Sequence, residues 1–383
     1  MIRREIEPRL ERVFSTRPCV VLTGCRQTGK TFIARHLVAR GAFVSLDLPR
    51  LAEEADQSGA AFLARYARPL CVDEVQHAPG LFRYLKHAID EQRTAVGQYV
   101  LTGSQPFPLM AKVSESLAGR ASIIHLLPLT LAEIATVRAS SIDEHIWRGG
   151  FPELHARDLD PSEFYASFIA TYLERDLRSQ LAVRNLRDFD RFLRLLALRV
   201  GNLVDIGGLA KDCGVSVNTA KSWLSVLEAS GLVMLVAPWF ENIGKRLVKM
   251  PKVFFVDTGL VCALLGLDST AALARSQLAG ALFENLVYLE LAKAFSNSGV
   301  RREILFYRDH GGLEIDFVVP EGERLHLIEV KRVEDAPTPA SFAKLRAMLG
   351  ERIASTTLVT TTPGDFMRGH VRVRGPSGGG WLA

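Results

Sequence analysis

The stretch Pro18-Cys19-Val20-Val21-Leu22-Thr23-Gly24-Cys25-Arg26-Gln27-Thr28-Gly29-Lys30-Thr31-Phe32-Ile33-Ala34-Arg35-His36-Leu37 decides the fold. Its opening, CVVLT, is a continuous apolar and β-branched run, as in a strand buried on both faces. Its close, FIARHLVAR, continues with helical spacing. Between them Gly24-Cys25-Arg26-Gln27-Thr28-Gly29-Lys30-Thr31 fits GxxxxGK[ST] at every fixed position. Chance gives such a match in a chain of this length on the order of once in a hundred. Glycines let successive backbone N–H groups curl around phosphate oxygens, and the helix N-terminus adds favourable positive partial charge. The pattern predicts a loop, Gly24 to Gly29, that cradles the phosphates of ATP. Lys30 then reaches the β- and γ-phosphates, and the Thr31 hydroxyl is a ligand to Mg2+.

Outward from this loop, apolar runs alternate with helical stretches, the signature of a parallel sheet covered by helices. Strands are expected at 18–24, 42–48, 69–75, 98–104 and 122–129. The fold class is therefore α/β, with a nucleotide-binding core. The third run ends in Leu70-Cys71-Val72-Asp73-Glu74, about 40 residues past the loop, where such cores place a carboxylate opposite the phosphates. Asp73 is expected to hold Mg2+, and Glu74 to orient and polarise the attacking water.

With 48% hydrophobic and 23% charged residues the chain reads as globular, and 383 residues exceed what one core normally supports. Its net charge of +5 permits a nucleic-acid partner without requiring one. The five cysteines (Cys19, Cys25, Cys71, Cys213, Cys262) are odd in number and form no CxxC pair, so neither a disulfide framework nor a zinc site is expected. The charged start MIRREIEPRL lacks an apolar signal core, and no uncharged run approaches the roughly 18 residues of a spanning helix. A cytoplasmic protein is expected.

The order of Asp73-Glu74, then Leu101-Thr102-Gly103-Ser104-Gln105, then Leu117-Ala118-Gly119-Arg120 before a last strand, resembles the AAA+ ATPase superfamily. That resemblance implies Ser104, or its neighbour Gln105, as the residue sensing the γ-phosphate. It also implies that Arg120 acts on the nucleotide of a neighbouring subunit in a homo-oligomer, a ring being one form such an assembly takes. Further phrases extend the likeness over nearly the whole chain: Trp147-Arg148-Gly149-Gly150-Phe151-Pro152-Glu153, Tyr172-Leu173-Glu174-Arg175-Asp176, Lys245-Arg246-Leu247, Pro251-Lys252-Val253 and Asp257-Thr258-Gly259. They resemble a group of bacterial and archaeal ATPases with a nuclease-like C-terminal region. Arg148 and Arg175 are candidates for a lid arginine.

Three parts are expected: an ATPase core at 1–135, a helical lid and winged-helix region at 136–270, and a nuclease-like domain at 271–383. Between about Asp188 and Asp257 the order helix, helix, turn, helix, hairpin is that of a winged helix. It would present Ser216, Asn218, Lys221 and Ser222 to DNA, with Lys245, Arg246 and Lys249 on the wing. The same segment also suits a lid extension or a protein-contact module. Asp316 and Glu329-Val330-Lys331, with twelve residues between the two acids, resemble the PD-(D/E)XK nuclease core. That likeness implies a Mg2+ site from Glu284, Asp316 and Glu329 beside Lys331, with Glu314 an additional ligand. The segment GPSGGGW reads as a loose tail. Together these features point to an ATP-hydrolysing protein that acts on DNA. Two alternatives remain open, a nucleotide-dependent switch for protein partners and an ATP-gated nuclease.

Overall fold

A computed structural model describes residues 2–103, 116–172, 186–240, 250–377 and 381. The five runs read as strands form a parallel sheet: β1 (Cys19–Thr23), β2 (Ala42–Ser45), β3 (Leu70–Asp73), β4 (Tyr99–Thr102) and β5 (Ala121–His125), in the order β2-β3-β4-β1-β5. β1 and β3 thus flank β4, which brings the C-terminal ends of all three together. Every residue of β1, β3 and β4 is buried, as apolar runs covered on both faces require.

After β5 the chain becomes helical. Helices Ile142–Arg148, Pro161–Tyr172, Leu186–Ala197, Ile206–Cys213 and Val217–Ala229 lead into an antiparallel pair, β6 (Val233–Val236) and β7 (Lys252–Phe255). Helix Leu186–Ala197 buries Phe189, Phe192, Leu193 and Leu196 on one face, the stripe its spacing predicts. Phe189 and Phe192 meet Trp223 of helix Val217–Ala229 edge-on, at centroid distances of 5.2 and 5.4 Å.

A third sheet follows the helix Ala279–Ser298. It comprises β8 (Leu305–Arg308), β9 (Glu314–Glu321), β10 (Arg324–Val330), β11 (Ile353–Val359), β12 (Asp365–Arg368) and β13 (Val371–Arg374), in the order β12-β13-β11-β10-β9-β8. The runs EILFYRD, EIDFVVP and RLHLIEVKR are expected from sequence as strands, and they form β8, β9 and β10. β11 to β13 are not expected, because Ser355, Thr356 and Thr357 dilute the apolar signal of one and alternating arginines that of another. The hydrophobic core does not stop near residue 270. One buried cluster joins Phe151 and Phe192 to Phe254, Tyr288, Phe317 and Val359. Trp381 corrects the reading of the last residues as a loose tail. It is buried, and the Arg374 guanidinium lies 4.3 Å from its ring centroid. No helix among the described residues is long and apolar enough to cross a membrane.

Candidate functional site

The loop leaves β1 at Gly24, whose φ of +138° only glycine adopts easily; a Cβ there would lie 2.3 Å from the Leu126 carbonyl oxygen. Gly29, at φ +90°, precedes the helix Lys30–Leu37. The Thr28 hydroxyl donates to the Cys25 carbonyl at 2.9 Å, tightening the turn. Lys30 Nζ donates to the carbonyls of Gly24 at 2.9 Å and Cys25 at 2.8 Å. Burial pulls this ammonium below the usual lysine range, against the attraction of the Cys25, Glu74 and Asp73 side chains.

Asp73 ends β3 opposite the loop. Thr31 Oγ1 donates to its two carboxylate oxygens at 3.1 and 3.2 Å, and Thr102 Oγ1, at the end of β4, donates to Oδ1. Burial raises the Asp73 carboxyl, while the Thr102 and Thr31 hydrogen bonds oppose that rise. Glu74 stands in the left-handed region at φ +54°, its N–H donating to Thr102 Oγ1 at 3.3 Å and its side chain accepting from Gln76 Nε2. Lys30, Thr31, Asp73 and Glu74 thus converge on one mouth above β1, β3 and β4.

Sequence reasoning missed three residues around this mouth. Arg4 is buried behind the loop: Nη1 donates to Thr28 O at 3.1 Å, Nη2 to Leu127 O at 2.7 Å, and Nε to Glu133 at 3.0 Å. Its place in a charged terminal run gave no signal. Thr102 is the polar end of the apolar run YVLT, two residues before Ser104. His125, at the end of β5, contacts Thr23 Oγ1 through Nδ1 at 3.3 Å, and burial beside the Lys30 ammonium lowers it to about 4.

The remaining expectations fall at separate places. Ser104 and Gln105 lie outside the described residues, as do Arg175, Lys245, Arg246 and Lys249. Arg120 forms a two-bond pair with Asp90, at 2.7 and 2.8 Å. Arg148 is buried, donating to Asp158 at 2.6 Å and to Leu159 O at 3.0 Å. Asp257 explains two of the recurring phrases: its carboxylate accepts from Gly150 N at 2.6 Å, Leu260 N at 2.9 Å and the Tyr165 hydroxyl at 2.5 Å. The glycine pair and the Asp-Thr-Gly turn are thus halves of one buried joint. Ser216, Asn218, Lys221 and Ser222 are exposed along the start of helix Val217–Ala229, with Ser216 Oγ capping that helix at Thr219 N, 3.1 Å.

The C-terminal acids do meet. Glu284 comes from helix Ala279–Ser298, Glu314 and Asp316 from β9, and Glu329 from β10. Lys331 Nζ is 2.9 Å from Glu329 and 3.9 Å from Asp316. A cation unforeseen in this role, Lys252 of β7, stands among them, 3.0 Å from Glu284, 2.9 Å from Glu314 and 4.0 Å from Asp316. Burial and the nearby Asp316 charge push Glu284 up to about 8 and Glu329 up to about 7. Among the described residues no group of three or more His, Cys, Asp or Glu side chains is arranged to hold a metal ion.

The parallel sheet and its loop define a P-loop domain of the AAA type, and the family described as AAA domain matches residues 16–135. Two families described as Domain of unknown function, DUF8612 and DUF4143, match residues 139–271 and 279–374. The chain belongs to one family with Uncharacterized protein Rv2008c of Mycobacterium tuberculosis and Uncharacterized protein Mb2031c of Mycobacterium bovis. It is 33% identical to each over 374 residues, spanning 95% of this chain and 80% of theirs. Among solved structures it is similar to the Walker-type ATPase paby2304 of Pyrococcus abyssi, 16% identical, with a TM-score of 0.48, covering 69% of this chain and 96% of that one.

Proposed function

We propose that the chain binds and hydrolyses ATP at the loop of residues 24–31. The observation that carries this reading is the convergence of Lys30, Thr31 and Asp73 on one mouth, with the Thr31 hydroxyl 3.1 Å from the Asp73 carboxylate. Backbone N–H groups of the loop bind the phosphates, and the Lys30 ammonium balances charge on the β- and γ-phosphoryl groups. Thr31 and Asp73 suit Mg2+, one hydroxyl and one carboxylate being the hard oxygen donors it takes from such sites; when bound, the ion neutralises phosphate charge. Glu74 orients the attacking water and takes up its proton. Ser104 senses the γ-phosphate. In a homo-oligomer, Arg120 reaches a neighbouring nucleotide after releasing Asp90.

Turnover then rearranges a bound partner, for which DNA is the reading favoured here. Helix Val217–Ala229, behind two helices and ahead of a hairpin, has the order of a winged helix. Its exposed Ser216, Asn218 and Lys221, with Lys245 and Arg246, are the contacts proposed. One observation favours a second reading, a nucleotide-dependent switch for protein partners: Lys221 is the single basic residue of VNTAKSWLSVLEA. ATPase assays with single-stranded, duplex and branched DNA test both readings. Lys30→Ala should lose nucleotide binding, and Glu74→Gln should bind but not turn over. Normal turnover by Glu74→Gln would overturn its role. DNA affinity that falls steeply with salt, and is weakened by Lys221→Ala, supports the first partner; salt-independent behaviour supports the second.

A further inference from the structure

We infer that Lys252 is the resident cation of the acidic cluster formed by Glu284, Glu314, Asp316 and Glu329, so that the C-terminal region is an ionic joint and not a metal-dependent nuclease.

Metal-dependent hydrolysis of nucleic acid needs carboxylate oxygens turned toward one ion and an open position for water. Here the carboxylates turn toward an ammonium. Lys252 Nζ lies 3.0 Å from Glu284 Oε1 and 2.9 Å from Glu314 Oε1, with Asp316 Oδ1 at 4.0 Å. The other charges are also met from within the chain. Lys331 pairs with Glu329 at 2.9 Å, Ser341 donates to the second Glu329 oxygen at 2.7 Å, and Arg308 is 3.7 Å from Glu314. Asp316 Oδ2 accepts from the Val330 N–H at 2.7 Å. A divalent ion entering this cluster would face the Lys252 ammonium at close range inside the protein, where repulsion is poorly screened.

Lys252 has no room to withdraw. It is buried, it begins β7 in register with Val236, and it bridges Leu203. Three residues on, Asn285 brackets the backbone of Phe255, accepting from its N–H at 2.7 Å and donating to its carbonyl at 2.9 Å. The Phe306 ring covers the ammonium at 5.5 Å. The cation therefore arrives with the hairpin, and the cluster fastens the hairpin to the C-terminal sheet.

The test uses the full-length protein without nucleotide and follows its thermal midpoint as MnCl2 is added. Wild type and Asp316→Asn are expected to respond alike, since the cluster takes no metal; Glu329→Gln serves as a second control. A Mn2+-dependent rise in the wild type that both variants lose would overturn the inference. Lys252→Met should lower the midpoint and gain a stabilising response to Mn2+ that Lys252→Met/Asp316→Asn lacks. A Lys252→Met protein as stable as the wild type without metal would equally overturn it.

Discussion

Arg4 Nη1 donates to the carbonyl of Thr28 at 3.1 Å, so the start of the chain holds the phosphate-binding loop from behind. Arg4→Ala would leave Glu133 buried without its ionic partner and the loop without its prop. Loss of one partner of a buried pair costs about 3–5 kcal/mol. Urea unfolding should show that loss. Arg4→Lys should recover only part of it, because an ammonium cannot copy the planar fork that reaches Thr28, Leu127 and Glu133 together.

Thr102 links the two carboxylate-bearing positions, donating to Asp73 and accepting from the Glu74 N–H. If Asp73 and Thr31 hold Mg2+, Thr102→Val should weaken Mg2+-dependent ATP turnover about 10–100-fold, the usual effect of losing a group that orients a ligand. The Mg2+ dependence of the assay, with folding checked by circular dichroism, measures it. Unchanged turnover would show that Thr31 alone orients Asp73.

Two buried histidines set an acid limit on stability. Burial lowers His125 and His145 from 6.5 to about 4 each. The unfolded chain binds these protons first, so stability contributed by the neutral rings is present above pH 6.5 and lost as pH falls toward 4. One such histidine accounts for about 2–3 kcal/mol at the acid end of that window. Unfolding free energies across this range should fall less steeply for His125→Gln than for the wild type. Parallel slopes would argue against the shift at this residue.

Gly149 sits at φ +72°, where an added Cβ would lie 2.1 Å from the Tyr165 hydroxyl and 2.3 Å from Asp257 Oδ1. Gly149→Ala should therefore destabilise the protein by more than about 2 kcal/mol, combining backbone strain with displacement of a buried hydrogen-bonded pair. Thermal unfolding would show this, and Gly214→Ala offers a comparison. Gly214 has a similar φ of +74° but meets nothing within 4 Å.

The parts legible in the sequence are those whose chemistry is local. Gly24 to Thr31 is a continuous pattern, Asp73 and Glu74 end an apolar run, and the strands of the parallel sheet are nearly unbroken hydrophobic stretches. What stayed hidden depends on distant partners. Arg4 is defined by Glu133 and Leu127, which lie far along the chain, and nothing in MIRREIEPRL marks it as buried. Lys252 gave no sign of this role, because the acids around it come from a later helix and two later strands. Trp381 follows Gly378-Gly379-Gly380, whose composition outweighed the ring itself.

Helix Ala279–Ser298 has 20 residues and is thus about 30 Å long. Near its start Glu284 and Asn285 grip β7. Further along, Glu290 accepts from Leu131 N and Lys293 donates to Leu129 O, and near its end Ser296 donates to the carbonyl of His125, beside the loop. Such a rod resists compression and bending along its axis. A rigid shift of one end along the axis would carry the other with it, so the carbonyl of His125 and the β7 hairpin are tied to one stiff element.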